Sequence, residues 1–321
     1  MDATQPADTP QTPEARPDPV CYRHTSRESH VRCTRCDRYI CPDCMREAAV
    51  GYQCPECVKA GNQGMRQART QFGGRVGGAP YVTYGLIVLN VLAYLAELAK
   101  STVIDDFAMR GLAVIGPDGG YYLFHGFVLP SDFRAVGVAD GEWYRLITSA
   151  FLHQPPTEGR FGIAHILMNM FSLWVIGRVV EERLGAVRYL AVYLLSALGG
   201  SALVYLLDPT GAAVGASGAI FGLTSAYFVL SRRLHHDPLG GNRQMVSLVI
   251  WLVVSAGITS WQGHLGGLLT GLATGAVLAF APAKQRTVVQ VTGLAATLAV
   301  LVTVVVLKTV DLADANPWLA G

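Results

Sequence analysis

Seven apolar stretches, each near the length needed to cross a lipid bilayer, dominate the chain from residue 81 onward. They lie near residues 81–99, 163–180, 187–207, 215–231, 245–259, 263–281 and 288–307, and the fifth is the shortest. Only 15% of the residues are charged, whereas about a quarter is usual in soluble domains. The net charge of +2 is too small to indicate a nucleic-acid partner. We therefore expect an all-α polytopic membrane protein.

Basic residues near the short connections between these stretches indicate the orientation of the chain. Arginine and lysine are enriched on the cytosolic side of membrane helices. The alternate connections 208–214 and 258–262 carry neither residue. The remaining connections carry the basic residues, at Arg66, Arg69, Arg75, Arg183, Arg232, Arg233, Arg243, Lys284 and Arg286. We expect a cytosolic N-terminus, a C-terminus outside, and a long outside segment at 101–162.

The N-terminal part holds all seven cysteines, between Cys21 and Cys57. Two-residue gaps let a tight turn present two ligands to one tetrahedral zinc ion. With one histidine the cysteines make eight ligands, enough for two structural zinc sites, and His30 is the alternative to His24. A disulfide framework would leave one cysteine unpaired and requires an oxidising compartment. The four pairs are Cys21-x-x-His24, Cys33-x-x-Cys36, Cys41-x-x-Cys44 and Cys54-x-x-Cys57.

This spacing resembles that of B-box and RING-like zinc modules. The resemblance implies alternating pairs, with Cys21, His24, Cys41 and Cys44 on one ion and Cys33, Cys36, Cys54 and Cys57 on the other. We expect a cytosolic zinc-binding domain at 20–58, after a disordered N-terminus at 1–19 and before a flexible linker at 59–80. Closed zinc sites are structural, so the head is interpreted as an interaction or regulatory module with a cytosolic protein partner.

Polar residues near the starts of three apolar stretches suggest a catalytic site. Polar groups are costly inside a membrane and mark functional sites. The second, fourth and sixth stretches run in the same direction, so His165, Asn169, Ser217 and His264 share one leaflet. A serine nucleophile needs a neighbouring base, for which His264 is the candidate. Asn169, His165 and the backbone N–H of Ser217 can donate hydrogen bonds to an oxyanion.

No carboxylate lies at matching depth, which predicts a Ser–His dyad. Gly215 and Gly218 flank the serine and leave room for a substrate backbone. Gly267, Gly271 and Gly275 form a stripe of small residues that permits close helix approach. A lone serine, histidine or glycine stripe in a membrane helix is more often structural. The shared depth of all three favours a catalytic interpretation.

Five motifs in order resemble the rhomboid intramembrane serine proteases over about residues 80–281. They are GEWYRLITSAFLH in the first loop, HILMN and VVEERLG on the second helix, GASG at the nucleophile and GHLGGLLTG at the histidine. The resemblance implies a six-helix core at 81–281, with Ser217 as nucleophile, His264 as base, and His165 and Asn169 at the oxyanion hole. The span and tail at 282–321 then resemble the additional C-terminal helix of some members.

Two positions depart from the family pattern. The usual Trp-Arg pair reads Tyr144-Arg145, with Trp143 one place earlier, and we expect it to support the loop. Phe221 stands where some members carry a tyrosine that packs on the catalytic histidine, so stacking is retained without a hydroxyl. We also expect His153 to make a structural hydrogen bond, and Glu181, Glu182 and Arg183 to cap the inner end of the second span.

The resemblance implies an endopeptidase that cleaves single-pass transmembrane proteins near the outer membrane boundary. No cofactor is required for that chemistry. A zinc head joined to such a core suggests a bacterial plasma membrane protein. The alternative is a catalytically inactive rhomboid-like protein that binds membrane helices, which the presence of both Ser217 and His264 disfavours. A transporter is disfavoured because no inverted repeat is visible and no acidic residue lies deep in a span.

Overall fold

The computed structural model describes residues 18–63, 68–156 and 162–320, and divides into two compact units between Gln67 and Ala68. The predicted disordered N-terminus lies outside the described residues up to position 17, as do positions 64–67 of the predicted linker.

The first unit is a small head with a core of sulfur atoms. Strands β1 (Arg46–Glu47) and β2 (Tyr52–Gln53) pair antiparallel, and helix α1 (Pro55–Gln63) follows them. Six of the seven cysteines form the buried cluster of this unit together with Ile40, whereas Cys36 is exposed. A domain this small has too few apolar side chains for an independent core and commonly depends on a metal or disulfides.

The second unit is a bundle of long helices. Helix α7 lies at its centre and contacts α5, α6, α8 and α9, while α2 packs on α5 and α10 packs on α6 and α9. Six helices thus form the core and the seventh, α10, lies beside it. The helices of this unit are α2 (Tyr81–Ala99), α3 (Thr102–Phe107), α4 (Arg145–Thr148), α5 (Ile163–Leu184), α6 (Ala186–Leu207), α7 (Ser217–Leu234), α8 (Gly241–Val254), α9 (Trp261–Phe280) and α10 (Arg286–Ala315).

The seven long helices each overlap one of the seven predicted stretches, and the fold is that of an all-α polytopic membrane protein. Within the described residues, five segments are long and apolar enough to cross a membrane: α2, α5, α6, α9 and the segment Ala283–Ala315. Helix α8 is apolar but has only 14 residues, and it begins and ends earlier than the predicted stretch at 245–259. Helix α7 carries small and polar residues, which its central position buries.

Short strands stabilise the predicted outside segment, which the sequence pattern did not indicate. Strand β4 (Ala113–Ile115) pairs antiparallel with β5 (Tyr121–Tyr122) and β6 (Arg134–Val136), and β3 (Met109–Arg110) pairs with β7 (Ala212–Ala213). Apolar residues of this segment join those of α6 and α10 in a second buried cluster. The segment is therefore a packed part of the fold.

Arg145 holds this segment together from a buried position. Its Nε donates to Glu142 Oε2 at 2.7 Å, and its Nη1 donates to the carbonyls of Asp105 and Ala108 at 2.7 and 3.0 Å. Glu142 also accepts the N–H of Gly137 at 2.7 Å. Because Nε binds one carboxylate of the loop and Nη1 binds two of its backbone carbonyls, Arg145 supports the loop, as expected from its position beside Tyr144.

Glu181 caps a different helix from the one predicted. Its carboxylate accepts the backbone N–H groups of Val82 and Thr83 at 3.0 and 2.8 Å, and the Thr83 hydroxyl at 2.8 Å. These N–H groups belong to the first turn of α2, where a helix has no internal acceptors. The prediction that Glu181 caps the inner end of its own span is therefore wrong, because the carboxylate crosses to the start of α2.

Ordered structure also extends into both ends of the predicted linker, 59–80. Helix α1 continues to Gln63, beyond the predicted domain end at 58. Residues 69–75 form a turn in which Phe72 is 4% exposed. Phe72 packs in the main core of the helical unit, so this part of the segment is fixed by burial of an aromatic ring.

Candidate active site and metal centres

Ser217 lies at the first residue of α7, directly after a sharp turn of the backbone. Gly215 has φ +129°, a backbone conformation that residues with a side chain rarely adopt. Its N–H donates to the carbonyl of Ser149 at 2.9 Å. Ser217 is half-buried. The turn therefore places the hydroxyl at a helix N-terminus, where the first backbone N–H groups have no partner within the helix.

His264 lies within hydrogen-bond distance of this serine. His264 Nε2 and Ser217 Oγ are 2.9 Å apart, although 47 positions separate them in the chain. The imidazole stacks on Phe221, with ring centroids 4.4 Å apart and planes 4° from parallel. Its Nδ1 is buried and has no hydrogen-bond partner in the described part of the chain. The arrangement is a Ser–His pair with an aromatic ring that fixes the imidazole plane.

Close contact between α7 and α9 makes this distance possible. A β-carbon on Gly267 would lie 1.9 Å from the carbonyl oxygen of Gly218, and one on Gly271 would lie 2.1 Å from that of Gly222. A β-carbon on Gly275 would lie 2.8 Å from Ala226 Cα. The structure therefore confirms that the predicted stripe of small residues brings the two helix backbones together.

His165 faces the serine from α5, and its tautomer can be assigned. The backbone N–H of Gln154 donates to His165 Nδ1 at 3.2 Å, so Nδ1 is the acceptor and Nε2 carries the proton in the neutral ring. A β-carbon on Gly215 would lie 3.0 Å from His165 Nε2 and 3.5 Å from Ser217 Oγ. The Nε2–H group and the hydroxyl therefore both lie close to Gly215.

Asn169 lies one turn after His165 on the same helix and is 6% exposed. Its Nδ2 donates to the carbonyl of His165 at 2.8 Å. A side-chain amide has two N–H donors, so one remains for another acceptor. His165 and Asn169 thus bring two side-chain donors to the same side of the site.

The four residues line one cavity of about 880 Å³. A cavity of this size can hold several residues of an extended peptide or a drug-sized ligand. Residues from α5 and α8 line the same cavity, among them Met168, Phe171, Gln244, Ser247, Leu248 and Trp251. In this cavity Asn169 and His264 are buried, and His165 and Ser217 are half-buried.

His153 contributes a hydrogen bond through its backbone. Its N–H lies 3.1 and 3.2 Å from the two carboxylate oxygens of Glu97. Neither ring nitrogen has a partner among the described residues, although the ring lies 5.1 Å from that of His165. The structural hydrogen bond expected of His153 is thus made by its backbone N–H and not by its ring. The sequence did not predict the contact with Glu97.

Two clusters of metal-binding side chains lie in the head, one of cysteines with His24 and one of cysteines alone. In each cluster all ligand atoms lie within 4.8 Å of one another. The first has His24 Nδ1 at 4.0, 3.2 and 3.5 Å from the sulfurs of Cys21, Cys41 and Cys44. Tetrahedral Zn–S and Zn–N bonds of about 2.0–2.3 Å place neighbouring ligands roughly 3.5–3.8 Å apart. These separations fit one tetrahedral ion.

The second cluster contains Cys33, Cys36, Cys54 and Cys57. Cys36 Sγ and Cys54 Sγ are 3.7 Å apart. Arg38 Nε donates to Cys36 Sγ at 3.3 Å, and this hydrogen bond lowers the pKa of the Cys36 thiol. Metal binding requires the thiolate, so the arginine favours the coordinating form. The two clusters have the alternating pairing that the resemblance to B-box and RING-like modules implied.

His30 does not belong to either cluster. It is exposed, and its Nε2 lies 2.8 Å from Glu28 Oε1. All seven cysteines are free thiols. The alternatives of His30 as a ligand and of a disulfide framework therefore have no support in the geometry.

Comparison with known proteins identifies the family to which the chain belongs. Residues 140–281 match the rhomboid domain family. The putative rhomboid protease YdcA of Bacillus subtilis (strain 168) is 36% identical over 143 residues, 42% of this chain and 67% of the relative. The chain belongs to the rhomboid family and is an integral membrane protein.

Other relatives match the same part of the chain. Rhomboid protease GluP of Bacillus subtilis is 37% identical over 145 residues, 44% of this chain and 27% of GluP. RHOMBOID-like protein 6, mitochondrial, of Arabidopsis thaliana is 34% identical over 158 residues, 47% of this chain and 48% of the relative. The match thus spans between about a quarter and a half of these two relatives, and the family match covers neither the head nor α10.

Proposed function

We propose that the chain is an intramembrane serine endopeptidase that cleaves single-pass transmembrane proteins. The observation that carries the proposal is the 2.9 Å contact between His264 Nε2 and Ser217 Oγ inside a cavity of about 880 Å³. Membership of the rhomboid family supports the same activity.

The geometry supports a mechanism in which every proton has a defined position. Ser217 Oγ attacks the scissile carbonyl carbon while its proton passes to His264 Nε2. The carbonyl oxygen becomes an oxyanion, which the Ser217 N–H, His165 Nε2–H and the second N–H of Asn169 can stabilise. His264 then donates the proton to the leaving amine nitrogen as the C–N bond breaks.

Hydrolysis of the acyl-enzyme completes the reaction. His264 takes a proton from water, the hydroxide attacks the ester carbon, and the proton returns to Ser217 Oγ as the carboxylic acid leaves. His264 acts without a carboxylate partner, in agreement with its unpartnered Nδ1 among the described residues. The stacked ring of Phe221 holds the imidazole in the orientation that a third residue would otherwise impose.

The substrate is proposed to be a membrane helix that unwinds near its outer end. Carbonyl groups within a helix are hydrogen-bonded and unavailable, so cleavage requires an extended segment. Glycine, proline and small residues near the scissile bond would favour that segment, and the narrow space at Gly215 supports a small residue before the bond. With the orientation expected from the basic residues, cleavage takes place near the outer face of a bacterial plasma membrane.

We further propose that both clusters in the head bind structural Zn²⁺. Their donor sets, three sulfurs with one imidazole nitrogen and four sulfurs, are those of closed structural zinc sites. Zinc would supply folding free energy to a head whose buried cluster consists almost entirely of the ligands. The head would then be a rigid cytosolic surface for a protein partner.

Cleavage in proteoliposomes tests the proposed activity directly. A single-pass model substrate with a glycine- and alanine-rich outer segment is reconstituted with wild type, Ser217→Ala, His264→Ala and the control Ser247→Ala, which removes a cavity-lining serine on α8. We expect cleavage by the wild type and the control alone. Cleavage by Ser217→Ala at the wild-type rate contradicts the mechanism. Stable capture of the substrate without cleavage supports the inactive binding protein instead.

A further inference from the structure

Three arginines converge on one short turn at the end of the helical unit opposite Ser217. Arg69 Nη1 donates to the carbonyl of Gly73 at 3.1 Å. A β-carbon on Gly73 would lie 3.5 Å from Arg188 Nη2 and 3.7 Å from Arg286 Nη1. Arg69 and Arg286 are both close enough to repel the charge of Arg188. The result is a local concentration of positive charge on a defined piece of backbone.

This charge has no carboxylate partner within the described residues. The ion pairs there, at separations up to 4.0 Å, include none of Arg69, Arg188 and Arg286. Arg188 Nε instead donates to the neutral Oε1 of Gln290 at 2.7 Å. Gln290 is 2% exposed, and its Nε2 donates to the carbonyls of Phe72 and Leu278 at 3.1 Å each. A buried amide thus fixes the position of Arg188 without neutralising it.

The surroundings of the cluster add further positive potential. Helix α6 begins at Ala186 and α10 begins at Arg286, so the positive ends of two helix dipoles lie beside the arginines. A cavity of about 430 Å³ adjoins Arg286 and is lined also by Gln71, Phe72 and Arg233. Fixed guanidinium groups at helix N-termini are the usual means of binding a phosphate group.

The position of the cluster indicates the source of that phosphate. Arg286 is the first residue of α10, and α10 exposes Val288 and Val291 with 65% and 60% of their surface accessible. Only 11% of the apolar part of Ala283–Ala315 is buried inside the protein, so the outer face of α10 is available to lipid. A phosphate bound at Arg286 would therefore lie at the level of the lipid headgroups, with acyl chains along α10.

We propose that Arg69, Arg188 and Arg286 form a binding site for the phosphate of an anionic phospholipid headgroup at the end of the bundle opposite the Ser217–His264 pair. The site is independent of proteolysis. Basic pockets between membrane helices are known to take such headgroups, and each basic side chain near the membrane surface contributes to the attraction. The bound lipid would join the 69–75 turn to the starts of α6 and α10.

The test uses the full chain in a neutral detergent, titrated with dioleoylphosphatidylglycerol and observed by native mass spectrometry. Dioleoylphosphatidylcholine, which is zwitterionic, is titrated in parallel. The variant Arg69→Gln/Arg286→Gln removes two charges and leaves the bond between Arg188 and Gln290. The control Arg232→Gln/Arg243→Gln removes two exposed charges at the connection between α7 and α8. Thermal unfolding confirms that each variant is folded.

We expect one phosphatidylglycerol to bind the wild type and the control in preference to phosphatidylcholine. Binding to Arg69→Gln/Arg286→Gln should be roughly twenty-five-fold weaker, about fivefold for each lost charge. Should the double variant unfold, Arg286→Gln alone is used and a roughly fivefold loss is expected. Equal phosphatidylglycerol binding by wild type and variant overturns the site. Thermal unfolding of the wild type is also measured with inorganic phosphate. Stabilisation by inorganic phosphate, without preferential binding of phosphatidylglycerol, overturns the assignment to lipid.

Discussion

Gly267 and Gly218 touch backbone to backbone where α9 crosses α7, since a β-carbon on Gly267 would lie 1.9 Å from the Gly218 carbonyl oxygen. Gly218 follows Ser217 in the chain, and Gly267 lies about one turn after His264. The separation of the two helices at this crossing therefore sets the distance between the hydroxyl and the imidazole.

Gly267→Ala should separate the helices and damage both stability and the catalytic pair. Overpacking a tight contact costs about 1–3 kcal/mol, and we expect the free energy of unfolding to fall by this amount. Gly85→Ala is the matched control, because a β-carbon at Gly85 in α2 meets nothing within 4 Å. The control should be neutral or stabilising by up to about 1 kcal/mol. Thermal unfolding in detergent compares them, and equal stability of the two variants contradicts the close approach.

Glu181→Gln should destabilise the bundle by weakening the start of α2. Three donors from Val82 and Thr83 share the two carboxylate oxygens, and glutamine offers them only one oxygen. Leaving buried donors unsatisfied costs about 1–3 kcal/mol. Glu182→Gln, at the exposed neighbouring position, should change stability by less than about 0.5 kcal/mol. Thermal unfolding in detergent compares the two variants. An unchanged free energy of unfolding for Glu181→Gln would show that the cap does not contribute to stability.

The contact between Glu181 and α2 illustrates what the sequence could not provide. Helix positions followed from apolar stretches of the right length, and the α7–α9 contact followed from glycines four residues apart. Glu181 and Val82 are 99 positions apart, and no local pattern connects them. The strands of the outside segment have two or three residues, too few for an alternating pattern to be visible.

The candidate site likewise has features that the sequence predicts and features that it does not. Ser217, His264, His165 and Asn169 were identified because three helices of the same direction bring their starts to one depth. The tautomer of His165 depends on the N–H of Gln154, a loop residue with no signal of its own. Glu97 received no role from the sequence because its partner is the backbone of His153.

Asn169→Ala should slow proteolysis without loss of the fold. One oxyanion donor typically contributes about 10²-fold to 10³-fold in rate, and we expect kcat to fall by about 10²-fold with little change in KM. Cleavage kinetics in proteoliposomes measure both quantities, and thermal unfolding of the same preparation checks the fold. An unchanged kcat would remove Asn169 from the oxyanion hole, whereas a raised KM alone would assign it to substrate binding.

His24→Ala should remove one zinc ion from the head. Purified full chain is expected to contain two zinc ions by elemental mass spectrometry, and the variant should contain one. His30→Ala is the matched control and should retain both, because His30 lies outside the clusters and contacts Glu28. Loss of zinc from His30→Ala with retention in His24→Ala would reverse the ligand assignment. A wild type without bound metal after zinc supplementation would contradict the zinc proposal itself.

The pairing of Ser217 with His264 is tested most directly by a fluorophosphonate probe, which reacts with activated serines. The detergent-solubilised wild type, Ser217→Ala and His264→Ala are labelled after each has been shown to unfold cooperatively. We predict labelling of the wild type alone, because the probe needs both the nucleophile and its base. Equal labelling of wild type and His264→Ala, or no labelling of a folded wild type, would contradict an activated Ser217.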